Sequence, residues 1–390
     1  MTGFTTRSLP DPEDPRPGGA PLSVPIHQTA TFAFPDAAEL AELISSGKGE
    51  SYVYSRWQNP TRAALERTVA GLEGAEAAVS FSSGMAAITT TLATLARAGD
   101  HVVFSSDLYG GTFATASKLL PRWGVEVSLA ASHRTDDLLA AMRDDTTVCY
   151  VETIGNPRCS LADLPALADE CRRRSVRLVV DNTFASPYLC RPAELGADVV
   201  IESSTKYLGG HHDLVGGLAC GTAGLMREVR EVSIDLGGTP SPFDAWLTMR
   251  GIATLAIRLG RICASALRLA EMLESHPSVA RVWYPGLPTH PDHDLARRLL
   301  PRGASGMMAV ELAGGLEAGR RFCETVRVAR MAASLGGVHT LVIHPATVTH
   351  TQLGRSEREA IGVTDGLLRI SVGIEDVEDL LEDFAGALGG

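Results

Sequence analysis

The 390-residue sequence has no CxxC pair, no repeat of solenoid period and no excess of positive charge. It also has no apolar run approaching the ~18–20 residues a membrane span requires. Each absence removes a class. The seven cysteines, at 149, 159, 171, 190, 220, 263 and 323, are odd in number. Without paired spacing they read as reduced thiols, neither a zinc site nor a disulfide framework, so no metal is expected. The net charge of −11, with a pI near 5.5, argues against nucleic acid or an anionic membrane as a main partner, while leaving room for a local basic site for a small anion. The opening MTGFTTRSLPDPEDPRPGG lacks the apolar stretch of a secretory signal and reads as an unstructured arm. Reduced thiols and no export signal together predict a cytoplasmic protein.

What is present reads as a large globular chain. Hydrophobic residues make up 45% and charged residues 21%, which excludes bulk disorder. At roughly 100–200 residues per domain the length predicts two or three domains. Pro10, Pro12, Pro15, Pro17 and Pro21, with Gly18 and Gly19, make residues 10–21 a mobile arm. Order begins at Asn59-Pro60, a cap followed by a proline suited to the first helical position, predicting a helix from Pro60 to Leu72 that stops near Gly74.

Short apolar runs then alternate with helical patterns. Strands are predicted at Ala77–Phe81, His101–Phe104, Val125–Leu129, Thr147–Glu152, Val176–Asp181, Val199–Glu202 and Gly217–Cys220. Helices are predicted at Met85–Arg97 and Leu161–Arg174, with one long helix over Phe243–Ser275. Alternating β and α elements predict an α/β fold built on a mostly parallel sheet, with a ligand beyond the carboxyl ends of the strands. After Val279 the pattern changes, with MMAVEL at 307–312 and LLRISVG at 367–373. This predicts an arm over 1–58, a large domain over 59–250 and a smaller α/β domain over 251–390.

Three strand ends carry chemistry. Ser82-Ser83-Gly84-Met85 opens a helix after an apolar strand; free amides there suit a phosphate, or the segment is an ordinary strand-to-helix turn. Asp181 ends the run Val176–Asp181, as a carboxylate at the mouth of the sheet or as a turn cap. Lys206 stands among hydroxyls and glycines in Ser203-Ser204-Thr205-Lys206-Tyr207, as a desolvated amine able to form a Schiff base or as a solvated loop lysine. His211 and His212 are neighbours that do not readily face one metal and read as loop residues. Phosphate, ring nitrogen and aldehyde together are the features of pyridoxal 5′-phosphate.

Tyr54-Ser55-Arg56, Asn59-Pro60-Thr61, SSGMAA, LYGGT, ETIGNP, VDNTFASPY, SSTKYLGGHHD, SLGG and LLRISVGIED follow one another in the order found in the Cys/Met-metabolism pyridoxal-phosphate enzymes. The sequence resembles that family, the cystathionine γ-synthase, cystathionine γ-lyase and methionine γ-lyase group, from about Val24 to Leu388. The resemblance implies the fold-type I architecture of such enzymes and pyridoxal phosphate as cofactor. It implies that Lys206 bonds the cofactor aldehyde, that Asp181 faces the ring nitrogen, and that Gly84, Met85, Ser203 and Thr205 hold the phosphate. It implies that Tyr54 and Arg56 reach the phosphate of a neighbouring subunit, in a tetramer built from dimers with shared sites. Tyr109 is implied to stack on the ring and act as acid or base. Asn156, Ser334 and Arg369 are implied to bind the cofactor oxygen or the substrate carboxylate.

The resemblance further implies removal of the α-proton and then a β-proton by Lys206, loss of the γ-substituent with Tyr109 as proton donor, and a vinylglycine-type intermediate. Hydrolysis of that intermediate is γ-elimination; capture by a nucleophile is γ-replacement. Gly111 matches the cystathionine enzymes, where methionine γ-lyases usually have cysteine. Ala333 lacks the acidic residue that cystathionine enzymes usually carry before SLGG. Leu341-Val342-Ile343-His344-Pro345 with Thr349-His350 resembles the sulfhydrylases, while VWYPGLPTHPDHDLARR and the AGRRF of 318–322 resemble methionine γ-lyase. The expected activity is therefore a carbon–sulfur lyase releasing 2-oxobutanoate, ammonia and a thiol from a methionine- or cystathionine-type amino acid. The alternative is γ-replacement on an activated homoserine. A non-catalytic scaffold is disfavoured because Lys206, Tyr109, Asp181 and Arg369 are all present; an aminotransferase is the remaining rival.

Overall fold

The computed structural model describes residues 2–10, 21–45, 52–348, 354–360 and 362–389. The arm positions Pro12, Pro15, Pro17, Gly18 and Gly19, and the pair Thr349-His350, lie outside the described residues.

Seven strands form the first sheet: β1 (Ala77–Phe81), β2 (His101–Phe104), β3 (Glu126–Leu129), β4 (Thr146–Glu152), β5 (Arg177–Asp181), β6 (Val199–Glu202) and β7 (Gly217–Gly221). Their spatial order is β1-β7-β6-β5-β4-β2-β3. The pairs β3–β2, β2–β4, β4–β5 and β5–β6 are parallel; β7 runs antiparallel to both β6 and β1. Central strands such as Val199–Glu202 are buried along their whole length, because helices cover both faces. The register sets Glu152 beside Asp181 and Asp181 beside Ile201, so β4, β5 and β6 end at one edge of the sheet. The chain therefore turns from strand into functional loop at that edge, which is where crossover topology leaves a crevice.

The second sheet contains β8 (Val279–Trp283), β9 (Met307–Leu312), β10 (Arg330–Met331), β11 (Leu341–Ile343) and β12 (Leu367–Ser371), ordered β10-β11-β12-β9-β8. All neighbours are antiparallel except β10 with β11. Helices Gly315–Thr325 and Val377–Leu388 meet through Phe322 and Phe384, whose rings form an edge contact with centroids 5.2 Å apart. The helix Leu255–Ser275 joins the two cores. Its Leu255, Leu259 and Ile262 pack with the first, and its Ala266, Leu269 and Leu273 with the second.

Three segments depart from expectation. The long helix of Phe243–Ser275 is two helices, Pro242–Ile252 and Leu255–Ser275, broken at Ala253-Thr254. The break frees the carbonyl of Gly251, which accepts from Arg258 Nη2 at 2.7 Å while Arg258 Nη1 donates to Tyr207 O at 2.9 Å. That buried guanidinium ties the helix pair to the segment following Lys206. Near the amino end, Phe4–Arg7 form a helical turn, not the unstructured arm expected there. Phe4 is buried because its ring meets Tyr188 edge-on at 5.3 Å and lies under the guanidinium groups of Arg302 and Arg191. The helix after Leu161 begins only at Leu164, since Leu161 bridges to Ile154 and Asp163 supplies the cap.

Candidate active site

A cavity of about 370 Å³ opens at the ends of β4, β5 and β6. Gly84, Met85, Tyr109, Asn156, Asp181, Ser203, Thr205, Lys206, Ser334 and Arg369 all line it. They come from segments far apart in sequence, brought together by the strand ends and by the loop before β11. Tyr54 and Arg56 do not line it. The Arg56 guanidinium donates to the carbonyl of Ile234 and sits 5.7 Å from the exposed Tyr54 ring.

One wall is the start of helix Gly84–Leu95. Ser83 caps it by accepting from the Ala86 amide at 3.0 Å, leaving the first amides of the helix free. A Cβ on Gly84 would stand 2.9 Å from the Ser203 Cβ, so only glycine lets this backbone approach the Ser203 loop. The Ser203 amide donates to Thr183 Oγ1 at 2.9 Å, and Thr205 exchanges hydrogen bonds with the backbone of Gly216 at 3.0 and 3.3 Å. The result is a rigid cradle of amides and hydroxyls matched to a phosphate.

The floor is acidic. Asp181 Oδ1 accepts from the Thr183 amide at 3.0 Å and Oδ2 from the Tyr150 hydroxyl at 3.1 Å. Burial nevertheless raises its pKa above the ordinary carboxylate value. Glu152, beside it on β4, accepts from the Tyr109 amide, and its pKa is pushed well up by burial and by the Asp181 charge. A buried carboxylate of this kind is suited to a cationic partner such as a protonated ring nitrogen.

Lys206 reaches in from the opposite side. Its Nζ donates to Ser334 Oγ at 3.3 Å. Burial, and then the neighbouring Arg369 charge, lower its pKa to about 8. Arg369 itself donates from Nη2 to the Ser334 carbonyl at 3.3 Å, and no carboxylate is among the groups whose charge acts on it in the described residues. Its buried guanidinium, lowered in pKa by desolvation, is set to receive an anion. Tyr109 is half-exposed at the mouth. A Cβ on Gly111 would lie 2.5 Å from Tyr109 Cε1 and 2.7 Å from Met85 Sδ, so the ring occupies space that the glycine leaves.

Other lining residues were not singled out from the sequence: Glu152, Thr183, Phe184 and Val215 among them. Glu152 carried a usable signal, since it ends an apolar strand just as Asp181 does. His212 lies in an adjoining cavity, its ring stacked on His339 with centroids 6.1 Å apart. Among the described residues no group of His, Cys, Asp or Glu could hold a metal, and no helix is long and apolar enough to cross a membrane.

A cradle of amides and hydroxyls, a carboxyl floor and a desolvated lysine in one crevice fit pyridoxal phosphate, and comparison with known proteins gives the class. The chain belongs to the Cys/Met metabolism PLP-dependent enzyme family, whose profile matches residues 10–389. Pyridoxal phosphate is its cofactor, and the protein is an enzyme of the γ-lyase and γ-synthase group. It is 42% identical to an L-methionine gamma-lyase of Porphyromonas gingivalis, over 98% of this chain and 96% of that one. It is 43% identical to a cystathionine gamma-synthase of Mycobacterium tuberculosis, over 100% and 97%. The crystal structure of metB from Corynebacterium glutamicum superposes with a TM-score of 0.93 at 41% identity, covering 100% of this chain and 98% of that one.

Proposed function

We propose that the enzyme is a carbon–sulfur lyase performing γ-elimination on a methionine- or cystathionine-type amino acid. Thioether and water give a thiol, 2-oxobutanoate and ammonia. The observation that carries the reading is the convergence of Lys206, Ser334 and Arg369 on one pocket whose wall at position 333 is alanine. The bound cofactor supplies an aldehyde for the substrate amine and a ring that withdraws electrons from the α-carbon.

The residues supply the rest. Gly84 and Met85 amides with the Ser203 and Thr205 hydroxyls hold the phosphate, and Asp181 holds the proton on the ring nitrogen. Lys206 is the residue that would hold the cofactor aldehyde, and the substrate amine would take its place there. Arg369 grips the substrate carboxylate as a planar fork, with Asn156 and Ser334 beside it. The freed Lys206 amine takes the α-proton, gives it up again and, neutral once more, takes a β-proton, while the Tyr109 hydroxyl gives a proton to the departing sulfur. Residues 59–250 thus supply the cofactor cradle, and residues 251–390 supply Ser334 and Arg369. The arm 1–58 completes a neighbour's site through Tyr54 and Arg56, in a homotetramer of dimers. The unpaired, buried cysteines support a cytoplasmic setting.

Gly111, as in the cystathionine enzymes, together with the 43% identity to a cystathionine gamma-synthase, supports a second reading, γ-replacement on an O-acyl homoserine. Mass spectrometry of products from methionine, cystathionine and O-acetyl- or O-succinylhomoserine, each with and without cysteine, separates the two. Formation of 2-oxobutanoate from a thioether irrespective of cysteine is the expected result. A new thioether appearing only from the ester with cysteine would replace the lyase reading.

A further inference from the structure

His133 lies after β3, immediately before the helix Thr135–Ala141, and lines neither cavity. Its Nδ1 is 3.4 Å from Asp107 Oδ2 and its Nε2 is 3.3 Å from Asp292 Oδ2. Both ring nitrogens therefore face carboxylate oxygens. A neutral imidazole has one N–H and would turn a lone pair on one of them; only the imidazolium donates to both.

Each carboxylate holds more than the histidine. Asp107 stands two residues before Tyr109 and accepts from the Ser160 hydroxyl at 2.5 Å. The Ser160 carbonyl accepts from the Gly155 amide at 2.8 Å, closing the turn that presents Asn156. Asp292, from the segment after β8, also accepts from the Leu161 amide at 3.0 Å. The other charged or titratable groups facing the cluster are His290, Arg158 and Arg281, and also Glu152 and Cys159, whose pKa values the Asp107 charge helps to raise. His290 Nδ1 accepts from the Asp292 amide at 3.1 Å, and its Nε2 lies 3.4 Å from the Arg158 carbonyl. The Asp107 charge is further stabilised by Arg158.

We infer that the His133 imidazolium is a positioning residue, clasping the Tyr109 and Asn156 loops to the carboxy-terminal part of the chain and thereby fixing both side chains over the substrate. The inference rests on the reading of Tyr109 and Asn156 as site residues. The two carboxylates outweigh the desolvation of the ring and raise its pKa to about 9. A group raised in the folded protein contributes fully below its unfolded value and loses that contribution as pH rises through the folded one. The clasp is thus closed at neutral pH and opens around pH 9.

The test compares holoenzyme of the wild type with His133→Gln, which keeps one donor and loses the charge. Two ratios are followed from pH 7 to pH 10: the difference in Tm, and wild-type over variant kcat. Every other titrating group is common to both proteins and cancels. The expected result is a kcat deficit of about tenfold at pH 7, of the order a small misplacement of reacting groups produces. That deficit shrinks towards one above pH 9, KM changes less than kcat, and the Tm difference closes over the same range. A Tm difference that closes while the kcat ratio stays flat would make the clasp structural only and overturn the proposal. So would a Tm difference independent of pH. Turnover by the wild type tests the site reading separately. Asp292→Asn, which leaves the Asp107 contact, is the second variant and is expected to show the same convergence.

Discussion

The Lys206 amine and the Ser334 hydroxyl meet at 3.3 Å across the cavity, joining the loop after β6 to the loop that precedes β11. The pair closes the site between the two sheets. Replacing Lys206 by Ala removes the group that, in the proposed mechanism, bonds the cofactor and moves both protons. Turnover to 2-oxobutanoate is expected to fall by a factor of about a thousand or more, in the upper part of or beyond the ~10²–10⁴ typical for losing a general base alone. A variant that keeps full activity would remove the lysine from the mechanism.

The same amine should show its altered basicity directly. Nucleophilic capture needs the neutral form, and the pKa is lowered to about 8. In protein stripped of cofactor, the rate of recombination with pyridoxal phosphate is expected to rise with pH through about 8 and level off above it. The visible absorbance of the bound cofactor reports that rate.

Ala333 offers a specificity test. It lines the cavity beside Ser334 and presents no charge. Ala333→Glu introduces a carboxylate suited to a distal ammonium group. The ratio of kcat/KM for cystathionine over methionine is expected to rise about tenfold, corresponding to ~1–3 kcal/mol of discrimination. Competition between the two substrates in one reaction measures it.

Arg56→Ala tests the shared site. Arg56 lies outside its own cavity, so a loss confined to one chain would leave cofactor affinity intact. The expected outcome is a several-fold weaker retention of pyridoxal phosphate on dialysis, with Tm of the cofactor-free protein changed little. Light scattering should show an oligomer; an active monomer would refute the neighbour's contribution.

Glu66 supports the segment that carries Tyr54 and Arg56. Buried on helix Pro60–Glu73, it accepts from the Ser80 amide and hydroxyl and from Arg230 at 2.8 Å, while Arg62 beside it donates to the Ser55 carbonyl at 2.7 Å. These cations outweigh desolvation and lower its pKa to about 2. Glu66→Gln leaves Arg62 and Arg230 buried without their anion, an expected loss of about 3–5 kcal/mol in a denaturant titration. In the wild type, this contribution is present above the ordinary carboxylate pKa and is lost as pH falls through about 2.

Much of the first sheet was legible because its strands are short buried apolar runs between turn signals. Ala77–Phe81 and His101–Phe104 fall where the pattern places them. The cavity residues were legible through ordered motifs: those of Gly84, Asn156, Asp181 and Lys206 follow strands that end at one edge of the first sheet, while Ser334 and Arg369 come from the loop before β11 and from β12 of the second. The break at Ala253-Thr254 was not, because it depends on Arg258 reaching back to Gly251 and across to Tyr207. Nor was the docking of Phe4, whose partners Tyr188 and Arg302 lie far along the chain. The contacts of His133 escape local pattern for the same reason: Asp107 and Asp292 become neighbours only after the chain has folded.

All seven cysteines lie inside the protein. Burial raises the thiol pKa at Cys159, Cys190, Cys220, Cys263 and Cys323, and the hydrogen bond with Cys171, then burial, raises it at Cys149, so the nucleophilic thiolate is scarce as well as hidden. An enzyme that liberates thiols works in a solution rich in exchange partners. Mixed disulfides need an accessible sulfur, and this surface offers none in the folded state. The catalyst is thereby insulated from the redox chemistry of its own product.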